Sequence, residues 1–350
     1  METSSLETIV DRRVSRRHVL GWSSAALAGG MLAASGVPMS TRAQSPTADQ
    51  AEGGFAGLVD IGGRSIYMEA AGAGSPTVVL VAGALGRGDV WSRDQQQPEG
   101  EREMVFPAVA SFTHVIEYDR PGTIGEVNTS LEPNAPLFYP SRSDDVPQPR
   151  TGAEFVQELH DLLQTAEVPG PYVLVGHSVG GLYVQLYAMT YPDDVVGMVL
   201  VDATNEEVWE EFAKELTPEQ WAIFEPTTVR NEELLAAYPP AEMNWTAPLL
   251  EDRTVDQVRQ ARADSPLRPM PLYTLSHGIP FGEPFPGWPA EEMEAILTRL
   301  QGVTARQVPD SKHVIATESG HNIHQDQPEL VIEAIRAVVD AVRDPSTWTS

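Results

Sequence analysis

The chain has 350 residues, 50 acidic side chains against 23 basic ones, 41% hydrophobic residues and no cysteine. That length buries a full hydrophobic core in one large or two ordinary domains without staples, and the missing thiols exclude thiolate zinc sites, iron–sulfur clusters, cysteine nucleophiles and redox pairs. A formal net charge of -27 argues against nucleic acid as a main partner, because a phosphate-binding surface needs concentrated Lys and Arg.

The N-terminus reads as an export signal. Arg16 and Arg17 precede an apolar, small-residue stretch from Gly21 to about Val37, and Thr41, Arg42 and Ala43 offer a small-x-small cleavage site. Basic, apolar and small-residue regions in that order are the signature of a secretory signal, and the paired arginines point to the twin-arginine route. A retained membrane anchor is the competing reading, disfavoured because Ser23, Ser24, Gly29, Gly30 and Ser35 dilute a short segment. Residues 1–43 are therefore expected to be removed, leaving a bacterial protein that is periplasmic or extracellular, with no stable membrane insertion. Residues 44–56 read as a flexible leader.

Next, Leu58–Ile61 and Arg64–Ala70 flank Gly62 and Gly63, a two-residue hairpin signal. Apolar runs then alternate with helical stretches: Thr77–Ala82, Thr113–Tyr118, Tyr172–Val175, Val195–Val201, Pro271–Ser276 and Lys312–Ala316. Continuous Val, Leu and Ile suit strands covered on both faces, and the intervening helices supply the crossovers that parallel pairing requires. The expected class is α/β, with a mostly parallel central sheet and helices on both faces. Capping boxes are expected at Thr151 with Glu154 and at Asp326 with Glu329, each opening an amphipathic helix. Residues 121–150 carry six prolines and read as a long excursion. Residues 204–270, with Trp209, Phe212, Trp221, Phe224, Leu234, Leu235, Trp245 and Leu250, read as a helical lid inserted between the core parts 57–203 and 271–343, with 344–350 as a tail.

The strongest chemical signal is Gly176-His177-Ser178-Val179-Gly180-Gly181, between a strand and a helix. A serine on so tight a turn needs glycines around it, its hydroxyl is pushed into the open, and the helix N-terminus favours negative charge developing beside it. A serine nucleophile needs an imidazole to take its proton. Of the eight histidines, His321 follows a strand and Gly320; His18, His177 and His313 read as bystanders, His324 as a polar neighbour of His321, and His277 as a strand end that could line the pocket.

Together with Val81-Ala82-Gly83-Ala84, Tyr118-Asp119-Arg120-Pro121-Gly122, Leu200-Val201-Asp202-Ala203 and Ser319-Gly320-His321, this elbow resembles the α/β-hydrolase superfamily over about residues 57–343. The resemblance implies that fold with its lid, and a serine esterase or lipase-like activity; relatives acting on haloalkanes or epoxides carry aspartate at the elbow. It implies Ser178 as nucleophile and His321 as base. Its pattern places the acid beyond the penultimate strand, where this chain has Phe281 and no aspartate, so Asp202 is favoured and Glu283 is the alternative. The oxyanion donors are expected at the backbone amides of Val179 and of Ala84, or Leu85 in place of Ala84. No metal or organic cofactor is implied. The expected partner is a small apolar ester; amide, lactone, thioester or carbon–carbon cleavage, cofactor-free haloperoxidase chemistry and non-catalytic ligand binding are the rivals.

Overall fold

The computed structural model describes residues 54–84, 86–98, 100–126, 138–146, 150–222, 254–282 and 287–348. Eight strands form one sheet: β1 (Phe55–Asp60), β2 (Ser65–Ala71), β3 (Thr77–Val81), β4 (Val115–Tyr118), β7 (Tyr172–His177), β8 (Val195–Val201), β9 (Leu272–His277) and β10 (Lys312–Ala316), in the order β1-β2-β4-β3-β7-β8-β9-β10. β1 pairs antiparallel with β2 and β2 with β4, while every other neighbouring pair is parallel. The opening hairpin turns at Gly62 and Gly63, whose φ values of 95° and 102° are open to glycine and strained for other residues.

Alternation along the central strands explains the layers. Val79, Val81, Leu174, Met198, Leu200 and Leu272 pack on one face with α2 (Gly152–Thr165), α3 (Gly180–Thr190), α4 (Val208–Glu215), α5 (Thr254–Asp264) and α6 (Ala290–Thr304). The intervening residues Val78, Leu80, Val173, Val175, Val199 and Val201 pack on the other face, with α1 (Val105–Ala110) and α8 (Pro328–Arg343), which follows the short α7 (Ile323–Asp326). Successive strand side chains point to opposite faces, so a strand covered on both sides is apolar at every position. Each fully buried Val or Leu contributes roughly 1.5–3 kcal/mol.

Three expectations take a different form in the structure. The capping box at Thr151 forms, with the Glu154 carboxylate accepting from the Thr151 amide at 2.8 Å. That at Asp326 does not: Gln327 holds the N-cap position of α8 without a side-chain capping bond, and the Asp326 carboxylate instead accepts from the Gly320 amide and the Ser319 hydroxyl, both at 3.0 Å. Asp326 ends α7, and its side chain turns to the loop carrying His321. Within the proline-rich excursion, β5 (Ile124–Glu126) and β6 (Phe138–Pro140) pair antiparallel. From the insertion, α4 and α5 pack on the helical layer through Val208, Trp209, Phe212, Val255 and Val258, while Phe224, Leu234, Leu235, Trp245 and Leu250 lie outside the described residues. The expected signal, 1–43, and residues 44–53 of the expected leader also lie outside them, whereas Phe55 and Ala56, at the end of that leader, belong to β1 and pair with Ala70 and Glu69 of β2.

Candidate active site

The carboxyl ends of adjacent parallel strands bring the chemistry together. His177 ends β7 and pairs with Val201, the last residue of β8; His277 ends β9 and pairs with Ala316, the last of β10. Ser178 and Asp202 each lie one residue beyond their strand, and His321 lies in the loop after β10. Loops at this edge of a parallel sheet are where ligands bind in α/β folds.

Ser178 and Asp202 both hold left-handed backbone, with φ of 53° and 44°, a conformation costing roughly 1–2 kcal/mol for a residue with a Cβ. The strain is held by the Ser178 amide donating to the Val201 carbonyl at 3.1 Å, and by the Ser178 carbonyl accepting from the Gly181 and Thr204 amides, each at 2.9 Å. A Cβ on Gly180 would lie 2.5 Å from the Ala82 carbonyl oxygen, so α3 can start beside β3 only with glycine there.

Asp202 is buried and accepts from two imidazoles. His321 Nδ1 lies 2.6 Å from its Oδ2; His277 Nδ1 lies 2.8 Å from Oδ1 and 2.9 Å from Oδ2, and the His277 amide donates to Oδ1 at 3.1 Å. Burial by itself pushes this carboxyl up, yet the hydrogen bonds and charge of His277 and His321 outweigh it and hold the group well below the usual carboxylate range. The far nitrogen of His277, Nε2, meets Glu294 Oε1 of α6 at 3.0 Å. Burial would lower the His277 pKa, but the two carboxylates raise it to about 10. With Nε2 tied to Glu294, His277 has no free nitrogen for other work, whereas the Asp202 bond fixes the His321 proton on Nδ1 and leaves Nε2 as a lone pair.

A second group of histidines packs near His321. The His177 ring lies 4.7 Å from that of His321 and 4.4 Å from that of His324, and His324 lies 4.9 Å from the indole of Trp91. Nε2 of His177 lies 2.9 Å from the His321 carbonyl oxygen and donates to it. Burial, joined by the neighbouring imidazoles, pushes both pKa values down, that of His177 well below the usual range and that of His324 to about 3. Both rings are neutral.

The loop after β3 is pinned from below. Arg120, fully buried, donates through Nη1 to the Ala82 carbonyl at 2.9 Å and through Nη2 to the Gly83 carbonyl at 2.6 Å. Ala84 follows directly on this clamped segment, packed against the core, and Val179 heads α3 as its N-cap.

The structure thus unites Ser178, Val179, Ala84, Asp202 and His321 at one edge. Glu283 and Leu85 lie outside the described residues. Phe281, at the position expected for an acid, packs its ring 5.5 Å from His321 and 4.9 Å from His277. His277 is not a mere pocket-lining residue: it is buried and ion-paired. Sequence reading did not single out Glu294, and it named Arg120 only within the Tyr118–Gly122 stretch, without a role. A signal for Arg120 was its place one residue after Asp119 at a strand end; Glu294 carried none, since a glutamate on an amphipathic helix is ordinary. Among the described residues, no group of three or more His, Asp or Glu is arranged to hold a metal ion, and no helix is long and apolar enough to cross a membrane.

A parallel sheet with a strained serine at one strand end, and an aspartate–histidine pair at the ends of its neighbours, defines an α/β-hydrolase architecture. The chain belongs to the alpha/beta hydrolase family, whose model matches residues 78–334. It is 23% identical over 325 residues to the probable transporter efuK of Hormonema carpetanum, covering 81% of this chain and 42% of that protein. With the uncharacterized protein YqjL of Bacillus subtilis (strain 168) it shares 29% over 193 residues, 53% of this chain and 64% of that one. The chain therefore spans less than two thirds of the length of either curated relative. The haloalkane dehalogenase DatA from Agrobacterium tumefaciens C58 has the same fold, with a TM-score of 0.52 at 15% identity over 85% of this chain and all of that one.

Proposed function

We propose that the protein is a serine hydrolase acting on carboxylic esters of small to medium apolar substrates. The observation that carries this reading is the 2.6 Å bond from His321 Nδ1 to Asp202, at the same sheet edge as a serine in left-handed backbone. In the proposed reaction the Ser178 hydroxyl gives its proton to His321 Nε2 as its oxygen bonds to the ester carbonyl carbon. The carbonyl π pair moves onto oxygen, where the Val179 and Ala84 amides would receive it. The bond to the leaving alkoxide then breaks and His321 returns the proton to it. Water repeats the sequence on the acyl-enzyme. Each oxyanion donor is worth ~10²–10³ in rate and the general base 10²–10⁴.

Serine at the elbow, where the resemblance gives aspartate to members acting on haloalkanes or epoxides, also supports an acyl route. Turnover of p-nitrophenyl esters of graded chain length, alongside matched anilides, tests the reading. Ester hydrolysis that vanishes in Ser178→Ala is expected; turnover of anilides alone would overturn the substrate class, and Ser178→Ala with undiminished activity would overturn the nucleophile. We also propose export through the twin-arginine route, for which a mature N-terminus beginning after Ala43 is the expected mass-spectrometric result.

A further inference from the structure

Nothing in the proposed reaction uses the second imidazole on Asp202 or the glutamate behind it. Yet these groups form a continuous row: His321, Asp202, His277, Glu294. Both nitrogens of His277 face carboxylate oxygens, at 2.8 Å and 3.0 Å, so both carry protons and the ring is a cation whichever way it is drawn. His277 is buried and Glu294 has 19% side-chain exposure, so the pair sits where water screens it little. Helix α6 backs the row at two points on one face: Glu294, and Gln301 two turns later, whose amide donates to the Ala203 carbonyl at 2.9 Å and reaches Asp202 Oδ1 at 3.4 Å.

We propose that His277 and Glu294 are positioning residues: a charged brace that locks Asp202 onto His321 and sets the pH at which His321 becomes a base. The inference rests on the assignment of Ser178, His321 and Asp202 made above. The His277 cation offsets part of the Asp202 charge, and Glu294 in turn keeps His277 charged. The row Asp202, His277 and Glu294 carries one net negative charge toward His321. Removing the cation leaves two; removing Glu294 while His277 stays protonated leaves none.

The other titratable groups near this row do not supply that charge. His177 and His324 face His321 from β7 and α7 and are neutral. His313 on β10 meets the Ser276 hydroxyl at 2.8 Å, and burial lowers its pKa. Thr298, on the same helix as Glu294, is uncharged and donates to it at 3.4 Å, and Phe281 donates its backbone amide to Glu294 at 3.3 Å.

The brace makes opposite predictions for its two members. The probe is the rate at which a fluorophosphonate labels Ser178 in the purified full-length protein, from pH 4.5 to 9; it requires no knowledge of the natural ester. His277→Asn, which keeps an amide donor toward Asp202, is expected to move the midpoint of the acid limb up by about one pH unit, a tenfold change in the protonation equilibrium. Glu294→Gln, at the partly exposed end of the row, should move it down by a smaller amount. Slower labelling in either variant with the midpoint unmoved, or a shift of the same sign in both, would overturn the brace and leave the nucleophile assignment standing. Wild-type protein that resists labelling would instead overturn the assignment of Ser178, and the brace with it.

Discussion

Buried histidines around the Asp202–His321 pair stand in opposite charge states. His277 is clamped between Asp202 and Glu294 and is protonated, its pKa raised to about 10, whereas His177 and His324, packed beside Trp91, are neutral. The residue type is the same and all three are buried; what differs is the partner. Burial disfavours the charged imidazole in each case, and only two carboxylates at hydrogen-bond distance reverse the balance. His321 shares the Asp202 carboxylate with the charged His277 and packs beside the neutral ring of His177. Burial alone therefore does not tell how a histidine contributes to a site.

The sharpest way to break this contrast is to remove the charge on which one side depends. Asp202→Asn keeps the shape of the side chain but presents His321 with an amide and leaves the row without its central anion. A fall of about 10⁴ in kcat, with KM little changed, is expected from steady-state kinetics on a p-nitrophenyl ester. Next comes the support of the loop after β3, where Arg120 holds two successive carbonyls. Arg120→Met should fill much of the volume while freeing those carbonyls, and a loss of about 10² in kcat is expected, comparable with one misplaced oxyanion donor.

The turn that carries Ser178 depends on packing. Gly180→Ala drives a Cβ against the Ala82 carbonyl oxygen, and a loss of roughly 1–3 kcal/mol in urea unfolding is expected, the usual cost of overpacking. A stability effect of similar size concerns pH. His324, with its folded pKa depressed to about 3, contributes stability that is fully present above its unfolded pKa of about 6.5 and is lost as pH falls from there toward 3, at up to about 1.4 kcal/mol per pH unit. His277 has the opposite sign: its contribution is complete below about 6.5 and is lost as pH rises through about 10. His324→Phe should flatten the decline in unfolding free energy between pH 6.5 and 4.5 without altering the alkaline side.

The β7–α3 turn was legible because tight geometry restricts residue choice: only glycine lets α3 pass Ala82, and the pattern Gly176 to Gly181 shows it. The layers were legible because a strand covered on both faces must be apolar at every position, as Val78 to Val81 are. Asp202 was legible in outline, as an acid at a strand end, because the expected place after β9 held no aspartate. Glu294 was not, and neither was the charge on His277. The second capping box failed for a related reason: Asp326 fitted the local rule, but Gly320 and Ser319, brought near by the loop's path, took its carboxylate.

By itself, then, the sequence determined the α/β class, the position of the serine elbow and the set of polar residues from which a site could be drawn, since these depend on neighbours within a few positions along the chain. Tertiary structure alone decided which histidines are charged, which carboxylate touches His321, and that Arg120 clamps the loop across from the serine. Those outcomes depend on distances between residues 75 and 119 positions apart, such as Asp202 with His277 and with His321. Electrostatic energy depends on distance and burial in space, and local sequence pattern records neither.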